Sequence, residues 1–233
     1  MEKFIKKGQI IVGLDFDNSQ SALDIAELLN PENYKVKVGS QLFTACGPKI
    51  LEDLNIKGFD IFLDLKYNDT PNTVEKAILE ACKNNVWMTN IHLSGGQNMI
   101  DAAVNAKKSI SSEILLIGVT VLTSLDQKDL YDIGVSKDLK DQIISLFNLG
   151  KKGGIDGIVC SPNDLAYLKK EEMDSFITVC PGIRVNAESG GQKRTATIHD
   201  AINMGADYLV VAREIISSSN PLRVINEIDS YFI

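Results

Sequence analysis

The chain has 233 residues, 44% of them hydrophobic and 24% charged, with a formal net charge of −7. That is the size and composition of one ordinary globular domain with room for a full core. The acidic balance, with no Lys/Arg stripe, argues against a nucleic-acid-binding surface, and no run of about 18 apolar residues offers a membrane span. The basic start, Met1-Glu-Lys-Phe-Ile-Lys-Lys7, leads straight into a strand-like run without a cleavage pattern, so a cytoplasmic location is expected. Cys46, Cys82, Cys160 and Cys180 have no C-x-x-C spacing, and the last three sit in apolar runs that read as buried structural thiols. His92 and His199 alone cannot assemble a zinc site, so metal chemistry would have to rest on carboxylates.

In chain order, β-branched runs alternate with amphipathic stretches. A strand is predicted at 10–15, a helix at 21–29, a strand at 35–38 and a helix at 41–54. A strand at 61–64, a helix at 74–84 and strands at 87–92 and 115–119 follow. A helix at 138–150 then precedes strands at 157–160, 178–180 and 208–211. Eight strands give about 29 residues per unit, as a (β/α)8 TIM barrel spanning 1–233 as a single domain requires. A doubly wound sheet is the competing α/β reading, but it usually has a Gly-rich turn after its first strand, where this chain has the lone Gly13. The turn-rich stretch 186–197, with Gly190-Gly191, is expected to be a mobile loop after strand seven.

In such barrels chemistry sits at the C-terminal strand ends, and loops after strands seven and eight often bind phosphate. The first strand ends in Asp15 and Asp17, the second carries Lys35 and Lys37, and the third ends in Asp64 and Lys66 with Asp69 just beyond. Side chains alternate along a strand, so Asp64 and Lys66 share a face, as do Lys35 and Lys37. Neighbouring strands lie about 4.8 Å apart, which sets Lys37 beside the Asp64/Lys66 pair. Charges of both signs are costly to bury unless paired, which favours a functional array over a solvated salt-bridge cluster.

The run Phe62-Leu-Asp-Leu-Lys-Tyr-Asn-Asp-Thr-Pro-Asn-Thr73 resembles the D-x-K-x-x-D-x-P-N-T signature of the orotidine 5′-monophosphate decarboxylases. The resemblance continues in order through Gly13-Leu-Asp15, Val36-Lys-Val-Gly39, Val86-Trp-Met88 and Ile91-His-Leu-Ser-Gly-Gly96. It extends through Val119-Thr-Val-Leu-Thr-Ser124, Pro181-Gly-Ile-Arg184, Gly191-Gln-Lys-Arg194 and Val210-Val-Ala-Arg213.

That resemblance implies conversion of orotidine 5′-monophosphate to UMP and CO2, the last step of de novo pyrimidine synthesis, without metal or organic cofactor. It implies a Lys37-Asp64-Lys66-Asp69 catalytic array with Lys66 as proton donor to C6. It also implies a homodimer in which Asp69 reaches the partner's site. By the same resemblance Asp15 and Lys37 contact ribose, Asp64 lies against the departing carboxylate, and Thr73, Thr123 and Ser124 contact substrate. Arg184, Gln192, Ala212 and Arg213 are implied for the phosphate, with Gln192 in a closing loop. Two positions depart from the family's pattern: Ala212 stands where Gly is usual, and Asn68 where His is frequent among bacterial members. His92 reads as a structural, hydrogen-bonding histidine. The rival reading is a magnesium-dependent sugar-phosphate decarboxylase or aldolase with a similar D-x-K-x-x-D core. A barrel that only binds a phosphorylated ligand is a further alternative, though it has no need of the four-residue array.

Overall fold

The computed structural model describes residues 4–110, 113–168, 176–185 and 196–233. Strands β1 (Ile10–Gly13), β2 (Tyr34–Gly39), β3 (Ile61–Tyr67), β4 (Met88–His92), β5 (Leu115–Val119), β6 (Gly157–Val159), β7 (Ile177–Cys180) and β10 (Tyr208–Val211) pair in parallel and close into a barrel. The order runs β1-β10-β7-β6-β5-β4-β3-β2, so all eight expected strands are present. Two short strands, β8 (Ile183–Arg184) and β9 (Ala196–Thr197), form a separate pair that brackets residues 186–195. The expected mobile loop lies outside the described residues, apart from β9 at its end.

Helices α1 (Ser19–Glu27), α2 (Ser40–Cys46), α3 (Lys49–Ile56), α4 (Pro71–Lys83), α5 (Gln97–Ser109), α6 (Gln127–Asp132) and α7 (Leu139–Gly153) intervene between the strands. The single helix predicted over 41–54 is two. Gly47, with φ +65°, ends α2 in a left-handed conformation, and Pro48 N-caps α3. Glycine takes that backbone without strain, and proline has no N–H to continue the helix.

Three helix-to-strand turns use the same device. Gly58, Gly154 and Gly205 have φ near +80 to +91°, and each is followed by one buried apolar residue and an aspartate. Asp60 pairs with Lys35 on β2, Asp156 accepts from Leu116 N on β5 at 2.7 Å, and Asp207 accepts from Thr178 N on β7 at 2.8 Å. Each aspartate thereby ties the start of its own strand to the neighbour at the N-terminal end of the barrel. Asp207→Ala is expected to lose about 1–3 kcal/mol, because the buried Thr178 N–H and hydroxyl lose their acceptor. Urea unfolding checks it: an unchanged midpoint contradicts this role.

The core has two parts. Ile11, Phe62, Met88, Ile117, Val159, Val179 and Val210 fill the barrel interior, while a larger apolar shell lies between strands and helices. Trp87 and Tyr208 pack edge to face at 5.0 Å beside the interior cluster, and the Lys35 ammonium lies 4.3 Å from the Trp87 ring centre. Lys35 therefore does not share the mouth with Lys37. Two residues along a strand are about 6.6 Å apart, and that step carries Lys35 to the opposite end, against Asp60 and Trp87.

Candidate active site

At the C-terminal ends of β1, β2 and β3 the expected charges meet. Lys37 Nζ is 3.0 Å from Asp15 Oδ1 and 3.4 Å from Asp64 Oδ2, and Lys66 Nζ is 2.6 Å from Asp64 Oδ1. Two cations and two anions thus alternate along a short arc. Lys37 and Asp64 are buried, whereas Lys66 keeps a third of its side-chain surface and Asp15 more. Burial alone would lower the Lys37 pKa. The carboxylates of Asp64 and Asp15 outweigh it, so Lys37 titrates above the ordinary lysine range and stays an ammonium.

Lys66 reaches Asp64 from a backbone that is not regular strand. The β3–β4 ladder pairs Leu63 with Thr89 and then Tyr67 with Ile91, so three residues of β3 face one of β4. Within that bulge Lys66 has φ +51°, a conformation that strains a residue with a side chain. Asn90 fills the gap: its Oδ1 accepts from Lys66 N at 2.8 Å and its Nδ2 donates to Asp64 Oδ1 at 2.7 Å. Sequence reasoning missed this residue. The signal available was an amide in the middle of the strand-like run Met-Thr-Asn-Ile-His.

Lys37, Asp64 and Lys66 form one wall of a cavity of about 130 Å³. Phe62, Val119, Val159, Val179 and Val210 make an apolar floor, and Val121, Leu122, Thr123 and Pro181 complete the lining. Thr123 therefore stands at the cavity, as expected, while the exposed Ser124 is not part of its lining. Two other expected residues stand apart. Asp69 is exposed and accepts from Thr70 N at 2.6 Å. That backbone hydrogen bond, with one from Thr73, holds its pKa below the usual carboxylate value. Thr73, in the first turn of α4, is exposed and lies 3.0 Å from the Thr70 hydroxyl. Asp17 is also exposed and accepts from its neighbour Asn18, away from the Lys37–Asp64 pair.

Arg184, on β8 just after β7, is 7% exposed, and its Nε and Nη2 are buried with no hydrogen-bond partner among the described residues. Glu214 Oε1 stands 3.9 Å from its Nη1, while Glu214 Oε2 accepts from Val185 N at 2.5 Å. Buried guanidinium donors left open in this way call for an anion. The exposed Arg213 begins the one-turn helix Arg213–Ile216 directly after β10, with Ala212 as a cap that has no side-chain acceptor. The Ala212 methyl lies against β1: a Cβ built on Gly13 would come within 2.8 Å of it. Gln192 falls outside the described residues.

His92 ends β4 near the array. Burial lowers its pKa and the Lys66 ammonium lowers it further, against an opposing pull from Asp64. The folded chain thus binds that proton less readily than the unfolded chain, whose value is near 6.5. Stability is then lost as pH falls through the unfolded value. The wild type should lose melting temperature relative to His92→Gln from about pH 8 to about pH 5, and parallel curves would contradict the shift.

The model of the "Orotidine 5'-phosphate decarboxylase / HUMPS family" matches residues 8–228. Proteins named orotidine 5′-phosphate decarboxylase from Pseudoalteromonas translucida and Aliivibrio fischeri are 44% and 43% identical, over 97% of this chain and 97% of theirs. The crystal structure of a protein of that name from Lactobacillus acidophilus superposes with a TM-score of 0.83 at 31% identity, covering 97% of this chain and 99% of that one. An uncharacterized conserved protein from Geobacillus kaustophilus superposes with a TM-score of 0.81 at 30% identity. With its barrel and the D-x-K-x-x-D run both in place, this chain belongs to the orotidine 5′-phosphate decarboxylase / HUMPS family.

Proposed function

We propose that the protein decarboxylates orotidine 5′-monophosphate to UMP and CO2, the closing step of de novo pyrimidine synthesis, with no metal or organic cofactor. The observation that carries this reading is the Lys37–Asp64–Lys66 arc standing over an apolar cavity. In the reaction the bond from C6 to the carboxylate breaks, its electron pair stays on C6, and CO2 departs. The Lys66 ammonium stabilises the developing carbanion, then its Nζ–H bond breaks and the proton joins C6. Water restores the proton on Lys66.

Asp64 and Lys37 hold that ammonium in place. Asp64 Oδ1 accepts from both Lys66 and Asn90, while Oδ2 faces Lys37 at 3.4 Å. A magnesium ion at Asp64 would meet the two flanking ammonium groups of Lys37 and Lys66, which favours this reading over the metal-dependent sugar-phosphate rival. Asp15 and Lys37 would orient the ribose, and Thr123, in the cavity wall, would meet the pyrimidine, with Ser124 and Thr73 closing from the rim. Arg184, with its open donors, and Arg213 would grip the phosphate, joined by the backbone at Ala212 and by Gln192. Turnover of orotidylate in excess chelator tests the assignment: a rate equal to that without chelator supports it. Orotidylate left intact, with a sugar phosphate consumed once magnesium is added, gives the site to the rival.

The working unit proposed is a cytoplasmic homodimer. Asp69 does not touch its own chain's Lys37, Asp64 or Lys66, yet it is exposed and kept ionised, as a group serving a partner's site would be. If each site needs Lys66 from one chain and Asp69 from the other, Lys66→Ala and Asp69→Ala chains should complement. Refolding equal amounts together should restore about a quarter of wild-type activity, from the one intact site in each hybrid dimer. No recovery on mixing would place Asp69 outside a shared site.

A further inference from the structure

We infer that Asn90 is a positioning residue for the decarboxylation proposed above, setting both the backbone of Lys66 and the carboxylate of Asp64 through one amide. The inference rests on that reading of Lys66. The β3 bulge leaves Lys66 N without a ladder partner at its place opposite β4, because Leu63 pairs with Thr89 and the next pairing is Tyr67 with Ile91. Asn90 is the single β4 residue facing that gap, and it is fully buried. Its carbonyl oxygen takes the Lys66 N–H at 2.8 Å, which secures a φ of +51° in a residue that has no glycine freedom. Its NH2 group holds Asp64 Oδ1 at 2.7 Å, the same oxygen that receives Lys66 Nζ at 2.6 Å. Backbone and side chain of Lys66 are thus both referred to one rigid amide on the neighbouring strand.

The geometry gives Asn90 a place outside substrate contact: it is absent from the residues lining the cavity. Its influence therefore passes through Lys66 and Asp64, and it should appear in the chemical step rather than in ground-state binding. An apolar residue there would leave both Lys66 N and one side of Asp64 unsatisfied. Aspartate would keep the shape and an acceptor for Lys66 N but lose the donor to Asp64.

Asn90→Ala and the isosteric Asn90→Asp are compared with wild type and with Thr89→Val. Thr89 is the adjacent buried residue, and its hydroxyl donates to Leu63 O at 3.0 Å on the other face of β4. Wild type that turns over orotidylate upholds the reading of the site, and wild type that does not overturns that reading itself. Given active wild type, both Asn90 variants should lose kcat by about tenfold to a hundredfold. UMP binding by calorimetry should stay within about threefold, since the phosphate and ribose contacts are untouched. Thr89→Val should lower Tm yet keep kcat within about twofold, as loss of a merely structural hydrogen bond does. If Asn90→Ala does not fold, Asn90→Asp alone decides the matter. An Asn90 variant that folds and keeps wild-type kcat overturns the inference. So does a kcat loss matched by Thr89→Val at equal loss of Tm.

Discussion

Lys66→Ala is expected to lower kcat by about ten-thousand-fold or more while UMP binding stays within about tenfold. Two effects combine in that number. A positioned proton donor is worth roughly a hundred- to ten-thousand-fold, and a preorganised charge at the site of developing charge a further hundred- to thousand-fold. Neither acts fully on the ground state, so product affinity should survive. The array should also survive in outline, because Asp64 keeps Lys37 at 3.4 Å and Asn90 at 2.7 Å. Stopped-flow or steady-state loss of orotate absorbance measures kcat, and calorimetry with UMP measures binding. A variant with near-normal kcat would remove Lys66 from the chemistry.

Arg213→Ala carries the second largest effect and should act on a different quantity. It removes a charge that can offer two parallel hydrogen bonds to a phosphate, each charge-assisted and worth about 1.5–3 kcal/mol. A fall of about a hundred- to ten-thousand-fold in kcat/KM follows, expressed mainly in KM. Arg213 is exposed and far in sequence from the array, so the fold should tolerate the change. Orotidine, which lacks the phosphate, should be turned over equally slowly by wild type and variant. An unchanged kcat/KM for orotidylate would exclude Arg213 from the phosphate grip.

Much of the barrel was legible because its signal is local and repeated. Most strands are short apolar runs rich in β-branched residues, and at Asp60, Asp156 and Asp207 the strand is preceded by the same glycine–apolar–aspartate turn. The nearness of Lys37 and Asp64 also followed from alternation and strand adjacency, whereas Lys66 reaches Asp64 from the β3 bulge, where alternation does not hold. Lys35 shows where that reasoning stops: alternation fixes the face a side chain shares but not its depth along the barrel axis. Lys35 and Lys37 obey the same parity yet pair at opposite ends, with Asp60 and with Asp15 and Asp64.

The left-handed backbone at Lys66 had no sequence signature. Glycine ordinarily announces positive φ, and a lysine there is held by its surroundings rather than chosen for its propensity. Asn90, which does the holding, lies 24 residues away from Lys66 and becomes visible only when the β3–β4 register is known. The break between α2 and α3 was written plainly as Gly47-Pro48, and hydrophobic periodicity running through it hid the boundary. Arg184 was legible as a residue after strand seven, but its burial with two open donors was not. Burial of a cation depends on what packs over it, which no local pattern encodes.

In the proposed reaction a lysine on a barrel strand hands its proton to C6 as CO2 leaves, without help from a metal. Turnover of orotidylate by wild type and by Lys66→Ala, in heavy water with excess chelator, tests this step: any exchangeable donor brings deuterium to C6, so the comparison with Lys66→Ala is what assigns the transfer to the lysine. Wild type should give UMP with one deuterium at C6 for each CO2 released, at a rate unaffected by the chelator, and Lys66→Ala should form that product at least about ten-thousand-fold more slowly. Orotidylate left intact, or consumed only after magnesium is added, would contradict it.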